Sequence, residues 1–364
     1  MKRILCVLYA LTAGGAETFV MKIGRALPPE EYQIDFVVSE PEGCYEQEVL
    51  DRGGLIHRIP RRTEDPMGAL NGIKRIVREN NYQYVWKLGD QPVAALDLIA
   101  ARMGGAKRLV MRSCNALTGL SAKQKFVDAL LRPVLNWAAN VKLAPSMLAA
   151  EFTFGKGQAH KNVHLINNGV DLNVFRYDTE GREGVRKELS LENKLVVGHI
   201  GRLHKQKNHR YLLEVFQKLH QQRPDAVLLL VGTGELQEQI RQWARELELE
   251  DAVIFAGQRF DIPQVLSAMD VFVFPSLHEG MPNTVIEAQA TGLPCVIADT
   301  ITRDANITGL VTYLPLEDPE NWAKTALSAV SAQRKDTRED FVAHGYDIHS
   351  VARQLVGLIT ADTE

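Results

Sequence analysis

Short apolar runs recur along this chain at nearly regular intervals, and polar, amphipathic stretches fill the gaps. In the first half, residues 4–9, 34–38, 56–59, 84–87, 108–111 and 141–144 are each long enough for one buried strand. Residues 16–26, 45–52, 69–79 and 94–103 lie between them and read as helices. The rhythm pauses over the polar, charged residues 168–192. It restarts with apolar runs at 195–200, 226–231, 253–256, 271–274 and 294–298. Strands alternating with helices predict a mainly parallel sheet covered on both faces. The pause predicts two such doubly wound, Rossmann-like α/β domains, over residues 1–170 and 171–345, with the boundary near 167–186.

Length agrees with two domains, since 364 residues exceed what one usually needs. The remaining composition mainly removes alternatives. A formal net charge of −3 lacks the basic excess of a dedicated nucleic-acid binder. Cys6, Cys44, Cys114 and Cys295 are scattered, with no C-x-x-C pair, so they read as free thiols of a reducing cytoplasm. The first apolar run is short for a signal peptide and leads into T-A-G-G-A-E, so it reads as a strand. No stretch approaches the roughly 18 apolar residues of a membrane span. The expected location is cytoplasmic, with the inner face of the membrane as the second reading.

Candidate chemistry sits where strands end, which is where open α/β sheets bind ligands. Gly14, Gly15 and Glu17 follow the first strand; the glycines permit a tight turn, and the next helix would offer free N–H groups to an anion. The order is not G-x-G-x-x-G, which disfavours a dinucleotide site. After the run at 195–200 come Gly201, Arg202 and Lys207, two cations able to hold a diphosphate. After the run at 271–274 come Glu279, Gly280, Met281, Pro282, Asn283, Thr284 and Glu287. Pro282 suits a helix first turn and Gly292 its end, so Glu279 falls in the loop and Glu287 within the helix. A carboxylate accepts from adjacent hydroxyls, as in sugar or ribose binding. Capping and solvated charges are the plainer readings. A fourth segment, Asn167-Asn168-Gly169-Val170-Asp171, reads as a turn linking the domains.

Taken in order, these segments resemble family four of the glycosyltransferases, a retaining class with the GT-B fold. The matching pieces are G-G-A-E at 14–17, N-N-G-V-D at 167–171 and G-R-L-x-x-x-K at 201–207. L-L-L-V-G-T-G-E at 228–235, V-I-F-A-G at 253–257 and the pair Glu279/Glu287 complete the set. The resemblance implies a hexosyltransferase whose first domain binds the acceptor and whose second binds the nucleotide sugar. Arg202 and Lys207 would meet the leaving diphosphate, Glu279 the transferred sugar and Glu287 the ribose. Gly201, Gly280, Met281, Asn283 and Thr284 would line the donor, Gly15 would admit its phosphate, and Gly257 would lie near the base. No metal or other cofactor is implied, and a UDP-sugar stands ahead of a GDP-sugar. The acceptor would be a sugar or lipid-linked sugar, in polysaccharide or glycolipid synthesis.

Two departures stand out. Cys114, followed by Asn115, takes the place where family members often carry a histidine beside the transferred sugar. Ala298-Asp299-Thr300-Ile301-Thr302-Arg303-Asp304 replaces a common Gly-Gly-x-x-Glu segment, which looks closer to capsular or exopolysaccharide enzymes. The resemblance also implies a last helix, within 346–364, returning to the first domain; Val351, Leu355 and Ile359 give it one apolar face. Residues 122–140 read first as a domain helix interrupted by Pro133. Lys123, Lys125 and Arg132 among Phe126, Leu130, Leu131, Leu135 and Trp137 give membrane contact as the second reading. A nucleotide-sugar epimerase and a non-catalytic nucleotide-sugar binder remain as rival functions.

Overall fold

Seven parallel strands form the first sheet. They are β1 (Lys2–Val7), β2 (Tyr32–Val38), β3 (Ile56–Arg58), β4 (Tyr84–Leu88), β5 (Arg108–Arg112), β6 (Val141–Ala144) and β7 (Val163–Leu165). Their order is β3-β2-β1-β4-β5-β6-β7. Six more parallel strands form the second: β8 (Leu195–Ile200), β9 (Ala226–Val231), β10 (Val253–Gly257), β11 (Val271–Phe274), β12 (Cys295–Ala298) and β13 (Val311–Leu314). Their order is β10-β9-β8-β11-β12-β13. These features belong to a computed structural model that describes residues 1–12, 14–114, 121–330 and 333–361. The chain divides into one unit of Met1–Gly169 plus Gly345–Glu364 and a second of Val170–His344.

Both faces of each sheet are covered, which is why the strands read as unbroken apolar runs. In β1, Ile4 and Cys6 join one core, while Leu5 and Val7 join the other. The helix Ile348–Thr360 lies in the first of these cores, with Val351, Leu355 and Ile359 packed among Ile4, Phe19 and Trp86. Each such side chain contributes about 1.5–3 kcal/mol on full burial. The expected return of the last helix to the first domain is thus present. Residues 167–169, read only as a link, help to fasten it. The Asn167 side chain donates to Gly345 O at 3.1 Å. Gly169 has φ +60, and a Cβ there would stand 2.6 Å from Ile348 Cδ1.

Three local expectations change. β7 and β13 were not anticipated; both are short edge strands, and β7 exposes His164 and Leu165. The polar pause contains a helix, Thr179–Glu188, that buries only Val185 on its apolar side. Its Arg182 and Arg186 each reach Asp270, at 2.7 Å. Pro133 does not interrupt its helix, which runs unbroken over Ala122–Ala138. Pro133 and Ala129 are both exposed, so the carbonyl that loses its partner can turn to water.

Strand order reverses between β1 and β4 in one sheet and between β8 and β11 in the other. Such switch points open a crevice beyond the strand ends.

Candidate functional site

In the second unit, β8 runs fully buried into Gly201. The chain then makes a 3-10 turn, Lys205–Lys207, capped by the His204 ring, which accepts from Gln206 N at 3.2 Å. The turn brings Lys207 back over the strand end, and a Cβ at Gly201 would lie 3.1 Å from Lys207 Cε. Glycine at 201 therefore makes room for the lysine. Gly232 and Gly234 follow the same logic: a Cβ on them would meet Gly201 O at 2.2 Å and Leu203 O at 2.4 Å. The G-T-G turn after β9 can sit against the loop after β8 only without side chains.

Across the switch point, the loop after β11 presents Glu279. Lys207 Nζ and Glu279 Oε1 are 2.7 Å apart, with side chains only 17% and 12% exposed. The ammonium also lies 4.6 Å from the Phe274 ring centroid. The Ser276 hydroxyl is 2.6 Å from the same carboxylate oxygen and 3.0 Å from Gln206 O. Leu277 N donates to Gln206 O at 2.9 Å, and the Gln206 amide donates to His278 O at 2.7 Å. The two loops are thereby stitched into one edge. Ser276 and Gln206 were missed by the sequence reading; a serine two residues past a buried strand was the available signal.

The remaining donor-side candidates are placed less tightly. Arg202 does not join the Lys207 pair. It is 73% exposed and 3.5 Å from Glu235, the glutamate of the G-T-G-E segment. The helix Asn283–Ala290 begins just past Pro282, which is its cap and not its first turn. Gly280 and Met281 lie in the bend before it; Asn283 and Thr284 open it, and Glu287 lies half-buried in its second turn. Gly257 ends β10 with φ +66 and accepts from Gly232 N at 2.8 Å. Beneath the site, His199 is fully buried with Nδ1 2.9 Å from Val273 O, and its ring is 5.0 Å from that of His209. Burial holds the His199 pKa well below the usual range. Burial, reinforced by Lys207, pulls His209 down to about 4. Both rings are neutral at neutral pH.

In the first unit, a cavity of about 520 Å³ opens at the β1/β4 switch point, between Tyr9, Glu17, Lys87 and Asp90. Its wall carries a network that the sequence reading missed. Asp97 is buried, paired with Arg62 and with Lys87 Nζ at 3.2 Å. Cys114 also lines this cavity, and its backbone N donates to Asp90 Oδ1 at 3.0 Å. Burial raises its thiol pKa to about 11, so it is a neutral thiol and no nucleophile at neutral pH. Asn115 lies outside the described residues. Gly15 is the first residue of the helix Gly15–Ala26, and a Cβ there meets nothing within 4 Å. Packing within this unit does not demand glycine at 15.

Comparison with known proteins gives a consistent outcome. Residues 13–174 match the family described as Glycosyltransferase Family 4, and residues 194–332 match Glycosyl transferases group 1. EpsF of Bacillus subtilis (strain 168), designated a glycosyltransferase, is 32% identical over 376 residues, covering 100% of this chain and 97% of that protein. The Escherichia coli UDP-Gal:alpha-D-GlcNAc-diphosphoundecaprenol alpha-1,3-galactosyltransferase is 39% identical over 301 residues, 78% of this chain and 76% of the relative. Among solved structures, Anabaena Alr3699/HepE in complex with UDP and glucose covers the whole of both chains with TM-score 0.80 at 21% identity. The architecture is the GT-B fold.

Proposed function

The chain belongs to the glycosyltransferases of family 4, and we propose that within this family it moves a hexose from UDP to a lipid-linked sugar with retention of configuration. The observation that carries the proposal is the Lys207–Glu279 pair at the switch point of the second sheet. It is a cation already held at the place where a diphosphate would arrive, by a carboxylate able to accept from sugar hydroxyls. Donor binding then exchanges partners: Lys207 turns to the phosphate oxygens, and Glu279 to the sugar. Arg202, exposed and loosely held by Glu235, joins Lys207 on the diphosphate. Glu287 takes the ribose. Gly280, Met281, Asn283 and Thr284 offer backbone N–H groups, Gly15 lets the donor phosphate approach, and the base lies near Gly257.

In the reaction, an acceptor hydroxyl oxygen bonds to the anomeric carbon as the bond from that carbon to the diphosphate breaks. The acceptor proton passes to the departing diphosphate. Cations aimed at the charge that develops there supply the main stabilisation, and no metal is needed. UDP is favoured over GDP because the E. coli relative uses UDP-Gal by name and HepE was solved with UDP. The acceptor sugar would occupy the cavity at the β1/β4 switch point, with Cys114 in its wall. The E. coli relative, named for a sugar on a lipid diphosphate, supports a lipid-linked acceptor. So does the helix Ala122–Ala138. Phe126, Leu130 and Trp137 are 67%, 60% and 65% exposed, Lys123 and Lys125 are exposed, and the helix's one acid, Asp128, is buried. That face suits an anionic membrane surface, although no helix among the described residues can cross a membrane.

Neither rival function gains support, since the relatives are named as transferases. The decisive experiment supplies UDP-sugars and a polyprenyl-diphosphate sugar, with and without a chelator, and reads the new linkage by NMR. The proposal expects transfer that survives the chelator and an axial donor linkage kept axial. An inverted linkage, or activity restored only by added metal, overturns the corresponding part.

A further inference from the structure

We propose that the second unit carries another ligand site, an anion-binding cavity that takes a phosphate-bearing molecule at the end of the sheet opposite Lys207. The cavity, of about 330 Å³, is walled by Phe175, Arg176, Tyr177, Arg334, Lys335 and Arg338. Its charge is only partly compensated. Lys335 pairs with Asp340 at 2.7 Å, but among the described residues no carboxylate pairs with Arg176, Arg334 or Arg338. Arg338 donates to Leu172 O at 3.0 Å and to the Asn173 side chain at 2.7 Å, both neutral acceptors. Arg334 donates to the carbonyls of Thr291 and Leu266, at 3.1 and 3.3 Å, and to that of Met269. It also lies 5.2 Å from the Tyr177 ring centroid. The nearby acid Asp270 is already shared by Arg182 and Arg186. Asp336, which also lines the cavity, is the one acid there to set against three guanidinium groups.

Carbonyl partners fix a guanidinium in direction without cancelling its charge, which is what a preformed anion site requires. Burial, and then Arg182, pull the Arg334 pKa down to about 10, with Tyr177 and Asp270 acting weakly against them. The volume suits a small phosphate ester.

The position gives such a ligand a route to the donor edge. Leu266 and Met269 precede β11 and Thr291 precedes β12, so the cavity faces the N-terminal ends of these strands. The helix Asn283–Ala290 opens with donor-side residues and ends here: Ala290 lines the cavity, Arg334 holds Thr291 O, and Thr337 Oγ1 donates to Gln289 O or Ala290 O, each at 3.1 Å. Eight residues of helix, about 12 Å, join the two ends.

The test titrates inorganic diphosphate and glycerol 3-phosphate into the full chain carrying Lys207→Ala, which removes the cation of the proposed donor site, and into that variant with Arg176→Ala added. Arg176 is exposed, so its loss leaves the fold intact, which the unfolding midpoint without ligand checks. Binding should persist in Lys207→Ala and weaken at least about ten-fold in Lys207→Ala/Arg176→Ala, further when Arg338→Ala is added. Vesicles of phosphatidic acid in phosphatidylcholine, against phosphatidylcholine alone, separate a lipid headgroup from a free ester. Arg176-dependent binding to the vesicles but not to glycerol 3-phosphate assigns the headgroup. Loss of all phosphate and vesicle binding in Lys207→Ala, or undiminished binding by a folded Lys207→Ala/Arg176→Ala/Arg338→Ala, overturns the proposal.

Discussion

The two switch-point crevices are built from the same parts and differ in stoichiometry. In the second unit, one lysine meets one carboxylate: Lys207 and Glu279, on two loops. In the first, one carboxylate meets two cations: Asp97, on a helix, holds Lys87 from β4 and Arg62. A one-to-one pair on loops can exchange both partners for a ligand that carries a phosphate and hydroxyls. A buried acid shared by two cations cannot leave without stranding both. The first arrangement is suited to binding, and the second to shaping a wall. Chemistry at a strand end is therefore read better from how its charges are shared than from which residues are charged.

The comparison breaks most visibly at Asp97. Asp97→Ala strands Lys87 and Arg62, and should cost about 3 kcal/mol of stability after allowance for the partial exposure of Arg62, while a folded sample keeps its UDP affinity. Denaturant unfolding with and without UDP reads both. Unchanged stability would make the first crevice as exchangeable as the second.

Acid is the next lever. The His209 pKa lies near 4 in the fold, below the ordinary 6.5 of an unfolded chain. Its contribution is complete above pH 6.5 and is lost progressively as pH falls toward 4, where the loss reaches about 3 kcal/mol. His199 acts in the same direction. The melting temperature should fall over this window, and His209→Gln should flatten that part of the curve.

The two glutamates sharpen the division of labour. Glu287→Gln should chiefly raise the donor KM and Glu279→Gln chiefly lower kcat, each by about ten- to a hundred-fold, the cost of one charge-assisted hydrogen bond. Steady-state kinetics separates them. Turnover abolished in Glu287→Gln at unchanged donor affinity would move Glu287 to the reacting carbon. The smallest effect belongs to Gly201→Ala. Its methyl would press on Lys207 Cε and should weaken UDP binding by about 1 kcal/mol, a calorimetric difference at constant melting temperature.

Much of this was legible because it is local. Apolar runs gave eleven of the strands, since a strand buried on both faces needs no partner to be recognised. The edge strands β7 and β13 were not legible, because half-exposed segments of three or four residues carry little pattern. Gly201, Lys207 and Glu279 were found from loop spacing. Their contact was not, because it joins residues 72 positions apart. Lys87 inside Y-V-W-K-L and Asp97 inside A-L-D-L-I-A-A each broke an apolar pattern, a signal that a charge must find a partner. Nothing in the spacing said that they would find one another. Arg202 shows the converse: its motif was plain, and in the folded chain it faces Glu235 instead of Lys207.

The proposed function rests on Lys207 as the exchangeable cation of the donor site. Calorimetric titration of UDP into the full chain and into Lys207→Ala tests it most directly, at matched melting temperature. At least about a ten-fold loss of affinity is expected, deepened when Arg202→Ala is added. A folded Lys207→Ala protein that binds UDP as tightly as the parent would contradict it.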